Sequence, residues 1–401
     1  MSTKLVTKKV RGALVLTGYK GEQPSGDVVI PEGVVRISKA AFKGCNALTS
    51  VTLPNSLVKM GLDIFSDCYN LLAINVDEAN PVFSSKHGLL LDKGGSTLLV
   101  VPRGVSSVML PASVTDFEYD VFNPCQKLAS IQVEEGNSAY SSKDGLLFNK
   151  AGTMLIAVPH VVTSVTLSAD VAKIAGGCFD GRQKITAIQV DEGNATYSSI
   201  GGLLFNKAGS ALIAVPEGVT SIILPDGLTE IQYDQFADCN ALTSVTLPKS
   251  ITRIGGHAFM NCRNLTSVVI PDGVNTIGAR AFWNCRSLTS VVLPESVTKI
   301  NNAAFLGCTS LTSLIILAPK VTFGKKVFKG CSQVKTLQLP KGVEWEELMK
   351  EHEPAEDGLI SVEEFFWGDF DDMLLAGEIY GGLMNRLNFA LTLFSREKGV
   401  K

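Results

Sequence analysis

Apolar residues recur along this chain with a basic period of 23 residues, which lies within the range of known structural repeats. The clearest stretch runs from residue 242 to 316, where a Leu-Thr-Ser triplet followed by an apolar residue begins at Leu242, Leu265, Leu288 and Leu311. In repeat architectures of this kind each unit packs only against its neighbours. The pattern therefore predicts a stacked solenoid, although a length of 401 residues could also accommodate about two or three compact domains.

Within one unit, apolar and polar residues alternate along a short strand that ends at a proline. Val268 and Ile270 point to the interior and Ser267 and Val269 point away from it, because successive side chains of a strand face opposite sides. Pro271 cannot donate a hydrogen bond to a neighbouring strand, so the strand ends there. A single unit could not bury this much apolar surface, whereas stacked units bury it continuously.

The second half of each unit returns a phenylalanine and a cysteine to the interior. The phenylalanines are Phe42, Phe65, Phe122, Phe179, Phe236, Phe259, Phe282, Phe305 and Phe328. In every unit but the fourth a cysteine follows at the third position after the phenylalanine, at Cys45, Cys68, Cys125, Cys239, Cys262, Cys285, Cys308 and Cys331. In the fourth unit Arg182 takes that place, and Cys178 precedes Phe179.

The combined pattern, L-x-x-V-x-L-P…I-G-x-x-A-F-x-x-C, resembles the BspA-like family of leucine-rich repeats over about residues 12–340. The resemblance implies a curved, right-handed solenoid with a parallel sheet on one face. It also implies a protein that binds a partner rather than one that catalyses a reaction.

Thirteen strands are expected along the solenoid. Their last apolar residues are Ile30, Leu53, Val76, Leu110, Val133, Leu167, Val190, Leu224, Leu247, Ile270, Leu293, Ile316 and Leu339. Nine of the intervals between them have the basic period, and three are longer: Val76 to Leu110, Val133 to Leu167 and Val190 to Leu224. Each long interval contains two apolar runs joined by a glycine-containing turn, such as residues 149–152. We expect these intervals to form three β-hairpins on the side opposite the main sheet.

The predicted fold is therefore a β-rich solenoid with about 13 parallel strands, three inserted β-hairpins and an α-helical C-terminal cap. Residues 1–27 are expected to form an N-terminal cap and residues 28–340 the leucine-rich-repeat solenoid. Residues 341–380 differ in composition, since they contain 13 Asp and Glu but 2 Lys and Arg. We expect residues 341–401 to be an acidic helical segment that serves either as a cap for the solenoid end or as a docking segment.

The composition argues against nucleic-acid and membrane-spanning functions. The chain is 45% hydrophobic and 19% charged, with a net charge of −3, so no strong electrostatic field favours nucleic acid. No apolar run approaches the ~20 residues that a membrane-spanning helix needs. Residues 1–11 lack the apolar core of a secretory signal. The chain as given is expected in the cytoplasm by default, whereas the family resemblance favours the cell surface or secretion.

The nine cysteines are the first candidates for chemistry. Zinc sites need ligands that converge from several directions, typically from close CxxC pairs, and the sequence has none. Strands of a parallel sheet lie ~4.8 Å apart, but side chains that point in parallel into a core do not favour a disulfide. We therefore expect a column of buried free thiols, and the odd number of cysteines agrees with a reducing compartment.

No catalytic residue, cofactor or metal site is predicted, and the chain is not expected to be an enzyme. The histidines fall at unrelated phases of the repeat, at His87, His160, His257 and His352. No catalytic triad can be argued from that spacing. The sequence also lacks the glycine-rich phosphate-binding motifs of nucleotide-binding proteins.

Three weaker motifs have simpler explanations. Residues 353–364 resemble an EF-hand loop, but Ala355 supplies no ligand, and a bare turn between acidic helices explains the same residues. Glycosylation acceptor patterns begin at Asn194 and Asn264. Asn264 lies at a repeat junction where asparagine recurs, so its match follows from the repeat.

The concave face of the predicted sheet is the candidate functional surface. Its outward positions form two columns, one mostly serine and one that is apolar from Ile223 to Ile315 except at Thr246. An exposed apolar stripe is typical of a partner-binding surface, although β-branched residues also suit strands and repeat duplication would copy them. The candidate partner-binding residues are Ile223, Thr246, Val269, Val292, Ile315, Ser244, Ser267, Ser290 and Ser313.

These observations favour a non-enzymatic interaction module, in which a monomeric solenoid binds a protein partner on its concave face. The alternative is a structural or adhesive cell-surface protein that acts through host or matrix contacts or through self-assembly. The oligomeric state of the purified chain would distinguish partner binding from self-assembly.

Overall fold

The computed structural model describes residues 4–117 and 121–341. All regular secondary structure in these residues is β-strand, and no helix occurs among them. They belong to two compact units, unit 1 up to Ala208 and unit 2 from Gly209 onwards. The helical segment predicted for residues 341–401 lies, except for Lys341, outside the described residues, as do the EF-hand-like loop and His352.

The strands of both units are short and follow one another without intervening helices. In unit 1 they are β1 (Lys4–Val10), β2 (Ala13–Lys20), β3 (Gly26–Val29), β4 (Val34–Ile37), β5 (Leu48–Leu53), β6 (Lys59–Met60), β7 (Ala73–Val76), β8 (Phe83–Lys86), β9 (Leu89–Asp92), β10 (Thr97–Val100), β11 (Ser107–Leu110), β12 (Asp116–Phe117), β13 (Ser130–Val133), β14 (Tyr140–Lys143), β15 (Leu146–Asn149), β16 (Met154–Ala157), β17 (Ser164–Leu167), β18 (Lys173–Ile174), β19 (Ala187–Val190), β20 (Tyr197–Ile200) and β21 (Leu203–Asn206). In unit 2 they are β22 (Leu212–Ala214), β23 (Ser221–Ile223), β24 (Glu230–Ile231), β25 (Ser244–Thr246), β26 (Arg253–Ile254), β27 (Ser267–Val269), β28 (Thr276–Ile277), β29 (Ser290–Leu293), β30 (Lys299–Ile300), β31 (Ser313–Ile316), β32 (Thr322–Phe323) and β33 (Thr336–Gln338).

The main sheet consists of parallel strands at the thirteen predicted positions, each ending within one residue of its predicted end. In unit 1 these strands form three groups, β3–β5–β7, β11–β13 and β17–β19. In unit 2 they form one sheet in the order β23–β25–β27–β29–β31–β33. Ser244 pairs with Ser267, so neighbouring strands are offset by one repeat. The predicted solenoid of parallel strands is confirmed.

A second parallel sheet, which we call the narrow sheet, is made of two-residue strands. In unit 2 it runs β24–β26–β28–β30–β32, with Ile254 paired to Ile277. The Ala-Phe dipeptide that follows extends this hydrogen bonding, since the Phe259 N–H donates to the Ala281 carbonyl at 2.7 Å. Successive coils are therefore hydrogen bonded along more than one side. Gly278 permits their close approach, because a Cβ there would collide with the backbone nitrogen of Gly256.

The long coils of unit 1 insert antiparallel strands. The predicted hairpins turn at positions such as residues 149–152, and in the first two long coils they are the antiparallel pairs β9–β10 and β15–β16, which confirms the prediction there. A further strand precedes each long-coil strand β9, β15 and β21 and pairs antiparallel with it, as β8, β14 and β20. In the first copy, β10 pairs with β9 and then with β12 of the narrow sheet, as expected for a position away from the main sheet.

The turn between the first two strands of each long coil, in contrast, lies beside the main sheet, a contact that the sequence did not predict. The Ile74 N–H of β7 donates to the Gly88 carbonyl at 2.9 Å. His87 and Gly88 have positive φ angles of 53° and 75°, which turn the chain back towards β7. A Cβ at Gly88 would lie 3.1 Å from the Cβ of Ala73, so the small residue permits this contact.

The N-terminal end of unit 1 is a β-hairpin. β1 pairs antiparallel with β2, and β2 continues in parallel onto β4 of the narrow sheet. This hairpin lies within the N-terminal cap predicted for residues 1–27, but β1, which contains three lysines, was not predicted as a strand.

The core of unit 2 contains a stack of phenylalanine rings. Neighbouring rings of Phe236, Phe259, Phe282, Phe305 and Phe328 lie 4.8 to 5.1 Å apart between centroids, with interplanar angles of 4° to 9°. All five side chains are fully buried. Each ring therefore contacts its equivalents in the coils before and after it, and the stack joins five coils.

Replacing the central ring should destabilise the protein strongly. We expect Phe282→Ala to lower the free energy of unfolding by about 3–5 kcal/mol, because it leaves a ring-sized cavity between two coils. The exposed control Lys299→Ala should change it by less than about 0.5 kcal/mol. Denaturant-induced unfolding followed by circular dichroism measures both values. A loss below about 1 kcal/mol for Phe282→Ala would show that the stack contributes little.

Candidate functional site

Five predicted site residues occupy one register of the unit 2 main sheet. They form the outward row: Ile223, Thr246, Val269, Val292 and Ile315. Ile223 pairs with Thr246, Thr246 with Val269, and Val292 with Ile315. The paired serines of β27 and β29, two positions earlier, place Val269 beside Val292. The structure thus brings all five side chains together.

Most of the outward row is exposed. The exposed fractions of Ile223, Val269 and Val292 are 76%, 75% and 41%. Thr246 is also exposed, whereas Ile315 is half-buried. The adjacent Val268 is 6% exposed, so the alternation of inward and outward side chains follows the predicted pattern. The row is therefore a strip on the surface of the sheet that is aliphatic except at Thr246.

Two rows of hydroxyl side chains precede the outward row along the strands. Five serines pair in register across the sheet, namely Ser221 and the four predicted site residues Ser244, Ser267, Ser290 and Ser313. The threonines immediately before them were not predicted as site residues, although the repeated Leu-Thr-Ser triplet contains them. The hydroxyl of Thr243 donates to the Thr220 carbonyl at 2.8 Å, and that of Thr266 to the Thr243 carbonyl at 3.0 Å. These bonds fix the threonine side chains along the edge of the surface.

Charged side chains border the unit 2 sheet but are absent from its strands. None of the six described main-sheet strands β23 to β33 contains a charged residue. Strands β27 and β29 are preceded by Arg263 and Arg286 and followed by Asp272 and Glu295. Strand β25 is followed by Lys249. All five charged side chains are exposed. The surface therefore has a neutral centre, a basic border and a mostly acidic border.

Unit 1 lacks a continuous aliphatic row. Its outward positions in the same column are mostly polar: Thr52, Asn75, Gln132, Thr166 and Gln189. The aliphatic members are Val29, which is 68% exposed, and Met109, which is 36% exposed. They lie in separate groups of strands.

All nine cysteines are buried free thiols, as expected. In unit 2 they recur at the basic period from Cys239 to Cys331. Their thiols also donate hydrogen bonds, from Cys262 to the Phe236 carbonyl at 3.0 Å and from Cys285 to the Phe259 carbonyl at 3.1 Å. Burial raises the pKa of Cys239 to about 12. A thiol in this environment stays protonated near neutral pH, so it serves as a hydrogen-bond donor rather than as a nucleophile.

Arg182 replaces the cysteine in the fourth phenylalanine-containing repeat, and its side chain is buried, with 1% exposed. Its Nε donates to the Val158 carbonyl at 2.5 Å, and its Nη2 donates to Asn123 Oδ1 at 2.6 Å. Its Nη1 lies 3.0 Å from His160 Nε2. Burial and then the charge of Arg182 lower the pKa of His160. This group links coils of unit 1 and therefore has a structural role.

The other described histidines contact acidic side chains. His87 Nε2 lies 2.6 Å from Glu134 Oε1, and Lys86 Nζ donates to Glu134 Oε2 at 2.8 Å. The hydrogen bond from Lys86, followed by that from His87, lowers the pKa of Glu134 to about 2. His257 Nδ1 lies 3.3 Å from Asp234 Oδ1. Among the described residues, no group of three or more His, Cys, Asp and Glu side chains could hold a metal ion.

The acceptor pattern at Asn194 is inaccessible in the folded chain. Asn194 is fully buried, and its amide donates to the Ser168 and Val171 carbonyls at 2.8 Å each. Asn80 and Asn137 make the equivalent bonds in the other long coils. The pattern at Asn194 is thus explained by a structural asparagine. In the part of the chain that the structure covers, no helix is long and apolar enough to cross a membrane.

Comparison with known proteins identifies the repeats. The family described as BspA type leucine rich repeat region matches the chain in six copies, over residues 20–86, 160–223 and 216–335. No curated protein sequence matches the chain.

Several solved structures are similar to this one. A leucine-rich cell surface protein from Faecalibacterium prausnitzii is 22% identical and has a TM-score of 0.47, with 84% of this chain and 92% of that chain covered. The pneumococcal vaccine antigen PcpA is 18% identical and has a TM-score of 0.43, with 85% and 84% covered. A leucine-rich repeat protein from Bacteroides ovatus is 21% identical and has a TM-score of 0.31, with 86% and 95% covered.

The buried thiols should be protected from reagents in the native protein. We expect the nine cysteines to react with an aromatic disulfide reagent at pH 8 at least about 100-fold more slowly than in the denatured chain, because they are buried and protonated. The absorbance of the released thiolate measures the rate. Denaturation in guanidinium should expose all nine thiols and provides the reference. Rapid reaction of one native cysteine, located by mass spectrometry, would show that its coil is open.

Proposed function

Because the chain belongs to the BspA-type leucine-rich repeat family, we propose that it is a non-enzymatic protein-interaction module whose outward row binds a protein partner. The observation that carries this proposal is the exposure of the aliphatic residues Ile223 and Val269, which are 76% and 75% exposed in one register of the sheet. A row of exposed aliphatic side chains on a regular surface is typical of an interaction site.

The chemistry of the surface favours a protein partner with an apolar contact face. The outward row and its serine neighbours carry no charge, so they offer apolar contact and neutral hydrogen bonding. Nucleic acid would need a basic surface for its phosphates, and the strands provide none. The borders, with Arg263 and Arg286 on one side and Asp272 and Glu295 on the other, would fix the orientation of a partner with complementary charges.

The scaffold holds this surface in a fixed geometry before binding. The strands that carry the row pair in parallel, and the phenylalanine stack lies in the core of the same coils. The threonine hydrogen bonds add a further link between neighbouring strands. A rigid surface loses little conformational entropy when a partner binds.

Charged substitutions in the outward row should abolish partner binding. We expect Ile223→Glu/Val269→Glu to reduce capture of a partner from an extract of the native organism by at least about tenfold, because each carboxylate would be buried without a counter-charge. The intact chain carrying a photo-crosslinking residue at position 269 should become covalently linked to the same partner. Circular dichroism checks that the variants fold, which is expected because both positions are exposed.

Unit 1 offers a matched control for this experiment. Val29→Glu/Met109→Glu places the same charges at exposed aliphatic positions of the same column, outside unit 2. This control variant should still capture the partner as well as the intact chain does. If both double variants retain it, or both lose it, the outward row is not the binding site. If the intact chain proves to be a self-associated assembly that Ile223→Glu/Val269→Glu disperses, the row is an assembly surface instead.

A further inference from the structure

The last described coil of unit 2, residues 320–341, leaves core positions partly open. Val334 and Leu337 are half-buried, whereas Leu311 and Leu314, their equivalents one repeat earlier, are fully buried. Within the described part of the chain, β33 has a strand partner on one side only, which is β31. An unpaired strand edge next to half-buried core side chains needs a covering, as the ends of solenoids do.

The same coil carries a concentrated positive charge. Residues 320–341 contain no Asp or Glu and six lysines, which are Lys320, Lys325, Lys326, Lys329, Lys335 and Lys341. All of them except the half-buried Lys329 are exposed. Like charges on neighbouring positions repel one another, so this coil favours a covering that is rich in carboxylates.

The chain continues directly into a sequence with the complementary composition. Residues 342–372 contain twelve Asp and Glu and one Lys. The first acidic residue, Glu344, follows Lys341 by three positions. The apolar residues Val343, Trp345 and Leu348 are interspersed with these first acidic residues. The segment therefore offers both apolar side chains and negative charge.

We propose that this acidic segment, residues 342–372, lies on the last coil of unit 2 and covers it. Its apolar residues would contact Val334 and Leu337, and its carboxylates would pair with the lysines. Covalent attachment gives the segment a local concentration of the order of millimolar at the coil, which favours it over an acidic protein or a second copy in solution. The inference concerns the end of unit 2 and is independent of the outward row.

A zero-length carbodiimide crosslinker tests the contact in the full chain, because it joins a lysine to a carboxylate only where the two are in direct contact. We expect crosslinks from Lys325, Lys326 or Lys329 to residues 344–372 in the monomeric protein. Crosslinks from Lys341 are not counted, since sequence proximity alone would produce them. Mass spectrometry identifies the joined peptides. The yield should fall several-fold at 1 M salt, where the Debye length is about 3 Å.

Charge-reversal variants separate a specific contact from general attraction. Lys325→Glu/Lys326→Glu/Lys329→Glu should reduce crosslinks between the segment and the remaining lysines of the coil, Lys320 and Lys335, by at least about fivefold. The matched control Lys143→Glu/Lys150→Glu/Lys184→Glu makes the same change in net charge at exposed lysines of unit 1. It should change the yield of these crosslinks by less than about twofold. Adding Glu344→Lys/Glu346→Lys/Glu347→Lys to the first variant should restore crosslinks in the reversed sense.

Two results would overturn the proposal. The first is that the segment crosslinks to lysines of unit 1 as often as to the last coil. The second is that crosslinks form only between copies, which a mixture of unlabelled and ¹⁵N-labelled chains would reveal. In that case a second copy of the chain, rather than its own segment, covers the coil. Circular dichroism of each variant shows whether a lost crosslink reflects a lost contact or a lost fold.

Discussion

Stacking at a constant interval makes each side chain the neighbour of its own equivalent, and the rest of this structure depends on that constraint. A residue type suits a row only if its copies can pack on one another or hydrogen bond to one another. The phenylalanines meet this condition because their rings stack at 4.8 to 5.1 Å, close to the ~4.8 Å spacing of strands. The threonines meet it because each hydroxyl donates to the carbonyl of the preceding copy. A row of like charges meets neither condition.

Departures from a row show which bonds the coils require. The Cys125 thiol lies 3.8 Å from the Val101 carbonyl of the preceding coil. Arg182 occupies the equivalent place 57 residues later, and its Nε donates to the Val158 carbonyl, which stands at the same separation along the chain. Two chemically different side chains thus satisfy the same carbonyl position. Both side chains can donate a hydrogen bond to this carbonyl, which explains why a thiol and a guanidinium can both occupy the position.

The sequence predicted the features that depend on local strand geometry and missed those that depend on contacts between residues distant in the chain. Alternation along each strand was sufficient to separate inward Val268 from outward Val269, because it depends only on strand geometry. The break of the unit 1 main sheet could not be predicted in this way, since it depends on the contact of Gly88, in a hairpin turn, with Ala73 at the start of β7. β1 was missed because its lysines show no apolar alternation. The outward row was predicted as a column, but its unequal exposure, with Ile315 half-buried, became visible only in the structure.

The aliphatic character of the outward row is not a requirement of the fold. Unit 1 builds the same strands with Thr52, Gln132 and Gln189 in the same column, so polar side chains are compatible with this position. Simple copying of a repeat does not explain the row either. In unit 2 the serine column keeps one residue type from Ser221 to Ser313, whereas the outward row changes between isoleucine, threonine and valine. A row that varies in identity but remains β-branched and mostly aliphatic, on a surface where polar residues are compatible with the fold, is therefore the observation on which the proposed contact with an apolar partner rests.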